Sequence, residues 1–147
     1  MTDSAMMRLL VFRVGALDCA AEAGAVREIL PRLAVTRIPG APAVVGGLIN
    51  VRGTLVTLVQ GWRALGQAQP EAGGGATTLL LEVGEDRQPI GFTADEVLDL
   101  ITIAERDLDA RKALPGLDPT MVRAVGRRGG RIFVVLDTDA LLAPILS

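Results

Sequence analysis

The chain has 147 residues, half of them hydrophobic, with 17 acids against 15 bases and a formal net charge of −2. That is enough for one ordinary domain burying about 70% of its unfolded surface, and the acidic balance lacks the basic footprint of a phosphate-backbone binder. It contains no histidine, no tyrosine and one cysteine, which removes the commonest general base, the Ser–His–Asp and Cys–His nucleophiles, a cysteine-built zinc site and any internal disulfide.

The opening "MTDSAMMRLL" has no basic run leading into an apolar one, and no apolar stretch approaches the ~18 residues that span a bilayer, so a cytoplasmic protein with a disordered terminus over 1–7 is expected. "LLVFRVG" (9–15) reads as a first strand, closed by Gly15-Ala16 with Asp18 as a turn residue, and Cys19 as a small buried hydrophobe. In "EAGAVREIL", Val26, Ile29 and Leu30 recur at i, i+3 and i+4, which predicts a short amphipathic helix ended by Pro31. "LAVTRIP" (33–39) is a further strand candidate, and "PGAPAVVGG" a connector. "GLINVRGTLVTLV" (47–59) is the most strand-like segment, yet it holds Asn50, Arg52 and Gly53: a tight turn that glycine permits and an Asx side chain braces.

"GQAQPEAGGGATT" is poor in apolar residues and predicts a linker between two lobes at about 66–76. "TTLLLEV" (77–83) and "QPIGFTADEVLDLITI" (88–103) form a hairpin around "GEDR", the second arm bending near Ala94-Asp95-Glu96. Residues 104–121 read as a charged loop, a poor setting for Lys112 as a desolvated amine. "MVRAVG" and "RIFVVLD" flank an arginine-solvated glycine tip, and "DTDALLA" is a helix capped by Asp137 and stopped at Pro144. The sum is a mainly β chain of about ten short strands in two small barrels with two short helices.

"TRIPGAPAVVGGLINVRGTLVTLV" resembles the signature of the CheW-like domain of bacterial chemosensory systems, an I-P-x-A-P segment leading into a G-x-I-N-L-R-G hairpin. "AGAVREIL" resembles that family's V-x-E-I helix, "PIGFTADEVLDLITI" its I-G-hydrophobic-x-x-D-x-V segment, and "VGRRGGRIFVVLDTDALL" its closing hairpin, aspartate and helix. The resemblance implies one domain over 8–146 made of two five-stranded SH3-like β-barrel lobes. It further implies a non-catalytic adaptor, without cofactor or metal, that couples the hairpin tip of methyl-accepting receptors to the regulatory domain of a CheA-type histidine kinase.

By the same resemblance Arg52, Glu28, Val26 and Leu98 lie on the receptor side, with Ile101 near Leu98, while Gly47 and Leu48 lie on the kinase side; Trp62 joins them there as an exposed interface anchor in a segment that departs from the family. A planar guanidinium suits the glutamates of a receptor tip better than an ammonium does. The plainer readings are a solvated turn arginine paired with Glu28, which contributes little, and ordinary core packing for the apolar residues. One segment departs from the family: where it reads P-V-hydrophobic-D-L-R, this chain reads Thr57-Leu58-Val59-Gln60-Gly61-Trp62, placing its sole tryptophan there. Two alternatives follow, a receptor-binding scaffold decoupled from the kinase and, from another class, a small-molecule-binding β-barrel sensor; an enzyme ranks last.

Overall fold

A computed structural model describes residues 5–71, 76–110 and 116–146. In chain order they form β1 (Met6–Val14), β2 (Leu17–Glu22), β3 (Val26–Pro31), β4 (Val45–Val51), β5 (Thr54–Val59), α1 (Gly61–Ala64), β6 (Thr77–Val83), β7 (Gln88–Ala94), β8 (Glu96–Ala104), β9 (Asp109–Ala110), β10 (Val122–Arg128), β11 (Arg131–Leu136) and α2 (Thr138–Leu146). The strands make two sheets, β3-β6-β7-β5-β4 and β8-β1-β2-β11-β10-β9, the last strand of the second being only two residues long. Each sheet is antiparallel apart from one parallel pair, β5 with β7 and β2 with β11. This is the expected two-lobed, mainly β architecture.

The apolar runs are explained by strands buried on both faces, which lose the usual in-out alternation. Along β1, Leu9 and Val11 turn into the interior of their own lobe beside Phe133 and Val135, while Leu10, Phe12 and Val14 turn into a larger core shared with the other lobe. β6 does the same: Leu80 packs with Ile49, Val56 and Leu58, whereas Leu79 and Leu81 face the shared core. Across that core the Phe12 and Phe92 rings meet edge-on at 6.2 Å, a favoured aromatic geometry. Truncating either buried ring is expected to cost about 3–5 kcal/mol.

Several expectations change. "EAGAVREIL" is no helix: a 3-10 turn at Ala23–Ala25 leads into β3, whose exposure alternates residue by residue as it pairs with β6. The i, i+3, i+4 spacing was coincidental, and the β-branched Val26 and Ile29 fit the pleat. Residues 33–39 make a single bridge, Thr36 with Leu48, rather than a strand. β2 escapes the apolar pattern because Cys19, Ala20 and Ala21 are small, yet all are buried between β1 and β11. The chain crosses between sheets at Ala23–Ala25 and at Asp95; the segment at 66–76 joins α1 to β6, so its described part is a loop within one lobe and not a linker between two. At the N-terminus, β1 already includes Met6 and Met7, and residues 1–4 lie outside the described set. The Asp137 cap holds, with Ala140 N–H donating to Oδ1 at 3.0 Å, but the helix continues through Pro144 to Leu146. A proline removes one donor without ending a helix already in its last turn.

Candidate functional site

β4 and β5 are joined by a two-residue turn, Arg52-Gly53, with φ of 49° and 88°. Two successive positive φ values define a type I′ hairpin turn, whose first position favours Asn, Asp or Gly. An arginine there carries the steric cost of a left-handed backbone. Asn50 Oδ1 accepts the Gly53 N–H at 2.7 Å and braces the turn. The backbone thus delivers the Arg52 side chain to a hairpin tip at a position its residue type does not favour.

That side chain forks onto Glu28. Arg52 Nη1 donates to Oε2 at 3.0 Å, and Nη2 donates to Oε1. Glu28 comes from β3 and Arg52 from the end of β4, the two outer strands of the five-stranded sheet, so the fork links opposite edges of one lobe. The Arg52 bonds hold the Glu28 carboxyl below its ordinary value, against an opposing effect of burial and with lesser help from the charges of Arg52 and Arg27. Both groups remain open to solvent, the side chains 67% and 31% exposed, so water or a partner's carboxylate can reach the fork. Leu55, on the adjoining strand, is exposed as well.

The other expected receptor-side residues separate. Val26 shares β3 with Glu28 and packs against the shared core. Leu98 and Ile101 stand on β8 in the other lobe, half-buried against the Leu9–Phe133 cluster. Of the kinase-side residues, Gly47 has φ of 144°, and a Cβ there would sit 2.2 Å from the Thr36 carbonyl oxygen. Close backbone passage therefore requires glycine at 47, and Leu48 next to it exchanges both backbone hydrogen bonds with Thr36, at 2.9 and 2.8 Å.

The unusual 57–62 segment is an integrated replacement. Gly61 N–H donates to Thr93 Oγ1 at 2.8 Å, and a Cβ on Gly61 would lie 2.1 Å from the Thr93 carbonyl oxygen, so only glycine lets α1 lie against β7. Trp62 is half-buried on the shared core, its outer face covered by the Arg63 guanidinium at 4.5 Å from the ring centre. Arg63 Nε in turn donates to Gln60 Oε1 at 2.9 Å.

A second arginine fork was not anticipated from sequence. Asp18, expected only to mark a turn, is a buried acid of β2 that accepts from Arg131 Nε at 2.8 Å and Nη2 at 3.0 Å. No alternation marks it, because β2 is buried continuously from Asp18 to Ala21. Cys19 beside it is fully buried, and burial followed by the Asp18 charge pushes its thiol far above the usual range; a thiolate nucleophile is disfavoured there.

The described residues form a two-lobed β framework that raises an arginine on a hairpin tip. The CheW-like domain family model matches residues 8–145, and the chain belongs to that family of chemotaxis scaffold proteins. It is 28% identical over 134 residues to the chemotaxis protein CheW of Rhizobium meliloti, covering 90% of this chain and 85% of the relative. To the chemotaxis protein CheW of Bacillus subtilis it is 23% identical over 136 residues, covering 92% and 86%. In fold it matches the crystal structure of the scaffolding protein TtCheW from Thermoanaerobacter tengcongensis with a TM-score of 0.83 at 18% identity, covering 94% of this chain and 93% of that one.

Proposed function

We propose that this chain is a cytoplasmic, non-catalytic adaptor that joins a methyl-accepting receptor to a CheA-type histidine kinase inside receptor-associated signalling clusters. The observation that carries the reading is Arg52 itself, kept in a left-handed conformation at a solvent-facing tip. Strained backbone clusters at binding and switch sites, and Arg87, the other left-handed non-glycine residue described, differs in bonding the Gly24 carbonyl and Glu82 within the fold. On this reading the Arg52 fork meets carboxylates of the receptor hairpin tip, Glu28 holds the fork in readiness, and Val26 and Leu98 flank the receptor contact. Gly47, Leu48 and Trp62 belong to the kinase side.

The test is calorimetric titration of the chain with a receptor hairpin-tip fragment and, separately, with a kinase regulatory domain of the same organism. Binding near the micromolar level, about −8 kcal/mol, is expected for both. Receptor binding without kinase binding would replace the reading with a decoupled scaffold. Binding to neither, by a chain with a cooperative melt, would remove the adaptor reading.

A further inference from the structure

The Arg52 fork does not exhaust the exposed cationic surface. Two adjoining clefts, of about 320 and 470 Å³, share Arg37, Gly46, Gln60 and Trp62 as walls. Arg32 lines the first and Arg63 the second, so three arginines border this one depression, and no acidic residue lines either part. Other surface clefts mix their signs: one sets Arg123 with Glu105 and Asp109, another sets Arg87 and Arg123 with Glu22, Glu82 and two aspartates. In a chain with a net charge of −2, a depression lined by arginines and by no acid differs in kind from these mixed clefts.

Its chemistry is two-part. The floor holds the buried Leu58 and half-buried Leu33 beside the Trp62 ring, and Val35 and Ile38 stand exposed on the rim at 41% and 39%. Arg63 is tied to Gln60 and stacked on the indole, and neither Arg63 nor Arg37 has a carboxylate partner among the described residues. An aromatic anchor with a stacked guanidinium beside it is a common make-up for a protein-binding hot spot. The depression offers apolar contact at its base, with the Arg37 and Arg63 guanidinium groups beside it.

We propose that this depression docks an acidic segment of a protein partner that carries an apolar side chain among its carboxylates, the apolar group seating against Trp62 and the carboxylates meeting Arg37 and Arg63. The proposal rests on Trp62 as a partner-facing residue and adds the chemistry of what it faces. It also accounts for the departure of residues 57–62 from the family pattern: Gly61 lowers α1 onto β7, and Trp62 and Arg63 supply the anchor and the charge.

Trp62 is the sole tryptophan, so its emission reports the depression directly. The probe is a tryptophan-free dodecapeptide of alternating glutamates around a central leucine, with a lysine-for-glutamate version and free glutamate as controls. The acidic peptide is expected to shift the emission saturably, with affinity falling at least about tenfold between about 50 and 300 mM salt. Arg37→Glu, on an exposed loop, is expected to weaken it about tenfold or more with an unchanged melt. No emission change up to millimolar peptide, equal binding of the lysine version, or an equal response to free glutamate would each overturn the proposal. Calorimetry of Arg37→Glu and Trp62→Ala with the kinase regulatory domain separates the two readings. Loss in Trp62→Ala alone keeps the kinase contact and removes the acidic occupant. Peptide binding by a chain that ignores the kinase keeps the docking site and removes the kinase as its partner.

Discussion

Two arginine forks, one in each lobe, show how similar bonding serves different ends. Arg131 grips Asp18 through two nitrogens at the base of the six-stranded sheet, and Arg52 grips Glu28 through two nitrogens across the five-stranded one. The arginines are equally open, 62% and 67% exposed, but the Asp18 side chain is 4% exposed and that of Glu28 31%. If Arg131 leaves, a carboxylate is stranded where water reaches it poorly; if Arg52 leaves, Glu28 rehydrates. The first fork is therefore bound to the fold. The second stays open to solvent on both partners.

The largest effect should come from the buried acid. Arg131→Ala is expected to lower the melting temperature by roughly 4–8 °C, the charges of Arg13 and Arg128 limiting the loss. Scanning calorimetry against Arg52→Ala checks it, and a fall no greater than that of Arg52→Ala would erase the distinction between the forks.

Acid sharpens the same contrast. The Arg131 bond, then the charges of Arg131, Arg128 and Arg13, hold Asp18 below its ordinary value of 3.8 despite the opposing effect of burial. A carboxyl depressed in the folded state binds its proton more readily when unfolded, so its stabilisation is present above the unfolded value and is lost as pH falls through the folded one. Asp18→Asn should therefore melt a few degrees below the native chain at neutral pH, and the gap should close below about pH 4. Glu28→Gln should show little gap at any pH, since solvent screens that pair. A gap for Asp18→Asn that widened in acid would reverse the assigned sign.

Sequence patterns revealed most of this fold because strands buried on both faces write themselves as unbroken apolar runs, as in "LLVF", "LLL" and "FVVL". They failed where side chains are small or spacing is ambiguous. Asp18 and Cys19 sit in a strand whose alanines carry no alternation, and Val26, Ile29 and Leu30 satisfied a helical spacing while belonging to a strand. Arg52 stood out because a cation followed by glycine interrupts an apolar run. Its pairing with Glu28 is the plainer reading of the sequence, whereas its positive φ belongs to the folded turn. The arginines around Trp62 come from residues 32–37 and from residue 63, and only tertiary folding brings them to one depression.

The smallest effect on stability, and the most discriminating one, concerns Arg52 itself. Arg52→Ala removes the fork but leaves a Cβ-bearing residue without a local hydrogen-bonding side chain in the left-handed position, so the turn keeps its strain. Arg52→Asn removes the fork and supplies a residue that type I′ turns favour. If the side chain serves binding, both variants should lose receptor affinity alike, by about tenfold or more, while Arg52→Asn melts at or slightly above the native temperature and Arg52→Ala slightly below it. If instead the arginine serves mainly to join β3 to the hairpin, Asn would fail to restore the melt and binding per folded molecule would survive in both. Arg52→Lys divides the remaining possibilities: it keeps the charge without the planar fork. A lysine variant that binds like the native chain would mean that charge alone is read at the tip, whereas an intermediate loss would mean that the paired geometry seen on Glu28 is what a partner's carboxylate takes over.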